Sequence, residues 1–242
     1  MQDVDWVFHK AAVASVPKTV NDPVGSSAIN YQGTLHLLEA ARNNNVKRFV
    51  FASSAALYGD EPTLPKVETM CPVTLSPYAV DKLASEFACG MYTKLYGLET
   101  VCLRYFNVYG PKQDPSSPYS GVISIFTDKL KKKEIPTIFG DGEQTRDFVF
   151  VSDVVEANMK AATSDSGTGE FFNIATGNKI TLNDLLKILS DIYDIEFNVN
   201  YAEPRKGDIK DSYATVSKAG SMLNWNSTVE LNEGLKLLCE SL

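Results

Sequence analysis

Short apolar runs alternate with amphipathic stretches of helical length in this chain, and few folds accommodate that rhythm. Val46 to Ser54 is rich in Val and Phe and reads as a strand that ends in Ser53-Ser54. A loop holding Gly59, Pro62, Pro65 and Pro72 follows. Ser76-Pro77 then opens a long helix, since Ser caps a helix well and Pro fits its first turn. Leu83, Phe87, Met91 and Leu95 recur along it at helical intervals, and Gly97 stops it. Glu99 to Tyr105 is the next strand. Strands joined by helices of this length pair in parallel, as βαβ units of an α/β protein.

The flanks extend the pattern. Val4 to Phe8 predicts a short buried strand. Asp22 to Asn44 predicts one helix with Ile29, Leu37, Leu38 and Ala41 available for its apolar face, closed by Asn43-Asn44-Asn45. Beyond Gly110 the texture changes. A Pro- and Ser-rich connection, Gln113 to Gly121, precedes shorter elements. These include a strand at Phe148 to Val151 and a helix starting near Ser152-Asp153. A second helix has Thr181 as cap and Asp184 three residues on, with Leu185, Leu186, Leu189 and Ile192 on its apolar side. The last helix runs from about Leu231. Residues 1–112 and 113–242 are expected to form two regions, with some return of chain to the first sheet.

Composition narrows the class of function. The formal charge is −7 and there are five Arg in 242 residues, a poor balance for broad nucleic-acid binding. No apolar run approaches the roughly 20 residues that span a bilayer. The start, Met1 to Asp5, lacks the basic and apolar parts of a secretion signal, so a cytoplasmic location is expected. Cys71, Cys89, Cys102 and Cys239 lie far apart, and His9 and His36 complete no metal-ligand spacing; reduced thiols and no structural metal are expected.

Tyr78 and Lys82 are four residues apart on the long helix and so share a face. A phenol ionises near pH 10, and a neighbouring ammonium lowers that value, which suits the pair to general base and then general acid work. The spacing alone arises by chance about once in a chain with 11 Tyr and 18 Lys. Its surroundings add weight. Ser54 ends the preceding strand and Asn107 follows the next one, at the carboxyl edge where open parallel sheets place ligands. Ser, Tyr, Lys and Asn are thereby offered to one crevice.

With these residues in place, the chain resembles the extended short-chain dehydrogenase/reductases that modify nucleotide sugars. The resemblance runs through Val7-Phe8-His9 with Ala11-Ala12, Ala52-Ser53-Ser54 with Tyr58-Gly59, and Ser76-Pro77-Tyr78 with Lys82. It continues through Leu103 to Asn107, Phe139-Gly140-Asp141-Gly142, Arg146-Asp147-Phe148 and Arg205-Lys206-Gly207-Asp208. It implies an incomplete Rossmann-like doubly wound parallel sheet, with a smaller α/β substrate domain toward the C-terminus. It also implies NAD as cofactor, held by Ala11, Ala12, Asn30, Tyr78 and Lys82, and catalysis by Ser54, Tyr78 and Lys82. Ser15, Ser53, Asn107, Arg146, Arg205 and Ser212 fall on the substrate side.

Related dehydratases carry a Thr-Asp-Glu pattern after the strand serine, and related decarboxylases an acid nearby. Here Ser54 is followed by Ala55-Ala56, which leaves 4-epimerisation of a UDP-hexose as the implied reaction. Ser15 to Thr19 and Gln113-Asp114-Pro115 most resemble UDP-N-acetylglucosamine 4-epimerases, and Ser212 falls where UDP-glucose-specific members can carry Tyr. A homodimer through the Tyr78 helix is implied as well.

One departure stands out: no Gly-x-Gly-x-x-Gly or Gly-x-x-Gly-x-x-Gly turn occurs. The resemblance begins at what corresponds to a fourth strand, so an N-terminal half is expected to be missing. Weak NAD binding by the chain alone and an aggregation-prone apolar edge at Val4 to Phe8 are then expected. The competing readings are a truncated, non-catalytic fragment that binds a nucleotide sugar or a partner, and a dehydratase or reductase.

Overall fold

A computed structural model describes residues 2–113, 121–204 and 209–242. In chain order its elements begin with β1 (Trp6–His9), α1 (Val16–Asn21), α2 (Pro23–Ser27) and a π-helical turn (Ala28–Gln32) that runs into α3 (Gly33–Asn43). Next come β2 (Arg48–Ser54), a 3-10 turn (Ala55–Tyr58), α4 (Pro77–Tyr96), β3 (Thr100–Tyr105) and β4 (Asn107–Tyr109). Then follow α5 (Val122–Lys131), β5 (Thr137–Phe139), β6 (Thr145–Arg146), β7 (Phe148–Phe150), α6 (Val151–Thr163) and β8 (Phe171–Ile174). The chain continues with β9 (Ile180–Thr181), α7 (Leu182–Ile192), β10 (Asn200–Ala202), β11 (Asp211–Ser212), α8 (Ser217–Leu223) and α9 (Leu231–Glu240).

Four strands build the central sheet in the order β1-β2-β3-β8, all parallel. Such a sheet needs cover on both faces, and the sequence of β2 supplies apolar residues to each. Phe49 and Phe51 pack with Ala88, Cys89 and Tyr92 of α4. Val50 turns the other way and joins Val101, Leu103, Ala157 and Ala161, the last two from α6. A separate apolar cluster unites α5, α7 and α9, and there Leu185, Leu186 and Leu189 are fully buried as their spacing predicts. After the excursion through β4 to α6 the chain returns to the central sheet as β8, beside β3.

The ends of α4 follow from its local sequence. The Ser76 side chain accepts from the Ala79 amide, Pro77 occupies the first turn, and Gly97 closes the helix in the left-handed region at φ 72°. Thr181 likewise caps α7 by accepting from the Asp184 amide.

One element differs from the sequence expectation. The helix expected over Asp22 to Asn44 is interrupted by a π turn between α2 and α3, and Asp22 caps its start by accepting from the Gly25 amide. Widened turns of this kind often sit at functional sites, and this one carries Asn30. α6 begins at Val151, beside the expected start, and the Asp153 carboxylate accepts from the amides of Thr228 and Val229 and from the Thr228 hydroxyl, tying α6 to the segment before α9.

β1 pairs with β2 alone among the described strands. Val4, Trp6 and Phe8 are 36%, 41% and 37% exposed, so the strand expected to be buried presents apolar side chains instead. A second exposed apolar row runs along α4 through Val80, Phe87, Met91 and Leu95. No helix is long and apolar enough to cross a membrane among the described residues.

Candidate active site

The carboxyl ends of β2 and β3 and the first turns of α4 bring three predicted residues together. Ser54 is the last residue of β2; its side chain accepts from the Ala56 amide and lies near enough to Tyr78 to act on the phenol. One turn along α4, the Lys82 ammonium donates to the Ala52 carbonyl at 2.6 Å. It lies 4.7 Å from the centre of the Phe51 ring and 5.8 Å from that of Tyr78.

The electrostatics correct one expectation. Tyr78 is pushed above its ordinary value by burial, and Ser54 opposes that rise. The Lys82 ammonium is held by a backbone carbonyl of β2. Burial brings Lys82 itself down from 10.5 to about 8, against the upward pull of Cys102, Cys89, Asp81 and Glu86. Tyr78 therefore stands as a phenol beside Ser54 and beside an ammonium that becomes neutral in mildly basic solution.

Around this centre lie the other expected cofactor residues. Asn30 is buried; its Oδ1 accepts from the Val13 amide at 2.7 Å, and its Nδ2 donates to the Asp81 carboxylate at 3.4 Å. It thus fixes the segment after Ala11 and Ala12 against α4. Ser15 is spent on capping α1, where it accepts from the Lys18 amide. Ser53 is 3% exposed, and its hydroxyl has no partner among the described residues.

Of the residues expected on the substrate side, Ser15 and Ser53 are those just described, whereas Asn107, Arg146 and Ser212 lie on β4, β6 and β11. Asn107 Nδ2 donates to the Asp147 carbonyl at 3.0 Å. Arg146 donates through Nη1 to the carbonyls of Thr145 and Lys210 at 2.7 and 3.1 Å, and Ser212 stands opposite it in the β11–β6 register. Arg205 lies outside the described residues, as do Asp114 and Pro115. Lys210 also lines a cavity of about 550 Å³ with Phe139, Gln144, Ala202 and Pro204 among its walls.

Three further residues hold the site together without having been singled out by sequence. The buried Asp147 carboxylate accepts from the amides of Thr176 and Gly177 and from the Thr176 hydroxyl, and so joins the Arg146 strand to the loop after β8. Burial pushes its pKa up, and those hydrogen bonds hold it back. His9 sits 2.8 Å from the Thr34 hydroxyl, and burial, then Lys82 and Lys10, bring its pKa down to about 4. Lys10 donates to the Tyr105 hydroxyl at 2.5 Å and to Asn158, and burial, then Lys82, bring it down to about 8. The runs Arg146-Asp147-Phe148 and Val7-Phe8-His9 carried a sequence signal for Asp147 and His9, and nothing in the sequence marked Lys10.

The comparisons with known proteins agree with this geometry. Residues 1–175 match the NAD dependent epimerase/dehydratase family. A putative UDP-glucose 4-epimerase of Methanocaldococcus jannaschii is 42% identical over 97% of this chain and 76% of the relative. The UDP-glucose 4-epimerase of Mycolicibacterium smegmatis is 38% identical over 95% of this chain and 73% of its own length. Among solved structures, the UDP-N-acetylglucosamine 4-epimerase of Methanobrevibacter ruminantium, in complex with UDP-N-acetylmuramic acid, superposes with a TM-score of 0.96. It is 39% identical over 99% of this chain and 77% of that one. The Thermus thermophilus UDP-glucose 4-epimerase in complex with NAD gives 0.89, at 37% identity over 98% and 77%. The chain belongs to the NAD-dependent epimerase/dehydratase family.

Replacing Ser54 by Ala removes the one interaction that lowers the Tyr78 pKa. A titration followed by NMR of ζ-carbon-labelled tyrosine should place the Tyr78 midpoint at higher pH in Ser54→Ala than in the parent. An equal or lower midpoint would contradict the assignment.

Proposed function

We propose that Ser54, Tyr78 and Lys82 form the reaction centre of an NAD-dependent UDP-sugar 4-epimerase. The observation that carries this reading is the gathering of Ser54, Tyr78 and the Lys82 ammonium, which lies 5.8 Å from the centre of the Tyr78 ring, at the carboxyl edge of a parallel sheet. The residues present suit the nicotinamide-ribose end of the cofactor. Asn30 is bonded to Asp81, between Tyr78 and Lys82 on α4, and the buried Ser53 hydroxyl, expected on the substrate side, has no partner among the described residues. NAD, when bound, supplies a hydride acceptor and donor.

The chain's own residues then move the proton. As the phenolate, Tyr78 Oη takes it from the sugar 4-hydroxyl while that carbon is oxidised, and as the phenol returns it to the oxygen of the 4-keto sugar when the opposite face is reduced. Ser54 Oγ holds that oxygen beside Tyr78. Lys82, protonated below about pH 8, supplies the positive field that favours the phenolate during the first half of the cycle. Ala55 and Ala56 place no carboxylate beside Ser54, so the added acid and base of an elimination are not at hand there.

On the substrate side, Arg146 and Asn107, with Arg205, are assigned to the diphosphate. Guanidinium groups offer phosphate paired donors in a fixed fork. Arg146 shares Lys210 with the wall of the 550 Å³ cavity, a volume suited to part of a nucleotide. The exposed row Val80, Phe87, Met91 and Leu95 supports a homodimer through α4. A cytoplasmic location belongs to the same reading.

Tyr78→Phe should lower turnover of UDP-glucose and UDP-N-acetylglucosamine by about 10²–10⁴-fold, the range for loss of a general acid–base. Product sugars read by NMR check this in a chain whose cofactor site is complete, and near-parent turnover would remove Tyr78 from the mechanism. Ser212→Tyr should suppress the N-acetylated sugar selectively in the same assay, whereas equal loss on both sugars counts against a gate at this position. Phe87→Glu should leave a monomer in analytical ultracentrifugation where the parent sediments as a dimer; a parent that is itself monomeric would dismiss the α4 interface.

A further inference from the structure

Behind the reaction centre lies a buried polar cluster that the proposed mechanism does not use. Arg104, on β3, is 2% exposed, and its guanidinium makes three directed bonds. Nε and Nη2 donate to the two carboxylate oxygens of Glu86 at 2.9 and 2.8 Å, and Nη1 donates to the Tyr58 hydroxyl at 2.9 Å. Tyr58 in turn donates to Asn173 Oδ1 on β8 at 2.6 Å. The guanidinium lies 4.2 Å from the centre of the Phe171 ring and 5.1 Å from that of Tyr58.

The partners are informative because of where they sit in the chain. Glu86 follows Tyr78 and Lys82 on α4 at successive four-residue steps, so the three side chains form one row along the helix. Tyr58 closes the 3-10 turn that Ser54 opens. One planar group therefore grips both segments that supply the reaction centre. Its two bonds to Glu86 fix the position of α4 along its axis and about it, and the third fixes the turn after Ser54.

A buried ion pair is weak evidence for stability, since desolvation offsets much of the attraction, and an apolar pair of similar volume often packs as well. Apolar packing is non-directional, however, and sets no register between helix and turn. Reaction centres do depend on register: a displacement of about 1 Å can cost 10²-fold in rate.

We propose that Arg104 is a positioning residue, which keeps Ser54 within hydrogen-bond reach of Tyr78 by clamping the turn and α4 to a common point. The proposal rests on the reading of those residues as the reaction centre. Its test uses the chain itself and no turnover. Tyrosine ζ-carbon NMR gives the Tyr78 midpoint with and without Ser54→Ala, in the parent and in an Arg104→Met/Glu86→Met background that leaves no lone buried charge. The resonance is assigned by its loss in Tyr78→Phe.

In the parent, Ser54→Ala should raise the midpoint. In the apolar background the same substitution should change it by less than about half as much, the signature of lost coupling in a double-mutant cycle. Arg104→Lys covers the case in which the apolar pair does not fold, since a lysine keeps the charge but cannot form the bidentate fork to Glu86 while also holding Tyr58. It should weaken the Ser54 dependence in the same direction. An undiminished Ser54 effect in the background that folds, accompanied only by a changed melting temperature, would make Arg104 purely structural and overturn the proposal. A parent in which Ser54→Ala leaves Tyr78 unmoved would remove the reaction-centre reading and the proposal with it.

Discussion

The Lys82 ammonium reaches the Ala52 carbonyl because α4 lies flat across β2 and β3, and every other contact of the site inherits that arrangement. The packing is apolar: Phe49 and Phe51 from the sheet meet Ala88, Cys89 and Tyr92 from the helix with almost no exposure. Interiors this dense admit little sliding. Tyr78 and Lys82 sit at the start of the same helix, beyond this apolar contact, where the strand ends leave room for polar groups.

Burial has a second consequence. It brings the Lys82 pKa down toward neutrality, keeps the Tyr78 phenol protonated, and keeps His9 neutral over most of the physiological range. The phenol moves up and the ammonium down, so burial separates two ionisations that lie close together in water, and perturbed values of this kind cluster at functional sites. The same burial makes the polar framework strict. The Asp147 carboxylate and the Arg104–Glu86 pair are each met by several directed bonds, as buried polar groups must be.

Much of this was legible in the sequence where the signal is local. Ser76-Pro77 and Gly97 bound α4 as read, the strands at Arg48–Ser54 and Thr100–Tyr105 fall within a residue or two of expectation, and Thr181 caps α7. Where a side chain answers to distant chain, the sequence is silent. The Asp153 carboxylate accepts from amides about 75 residues later. Asn30 lies in a π turn that no periodicity announces, held by Val13 and Asp81. Tyr78 was expected below its ordinary pKa, and burial, which residue spacing does not reveal, raises it.

The sequence by itself determined the alternation of strand and helix, the caps and the four-residue spacing of Tyr78, Lys82 and Glu86, all set by contacts within a few residues. Only the tertiary structure decided that β8 joins β3, that Ser212 stands opposite Arg146, and that one guanidinium serves both the Ser54 turn and α4. Those outcomes depend on burial and on pairing between segments tens of residues apart, where local preference carries no information and the direction of a hydrogen bond is fixed by what surrounds it.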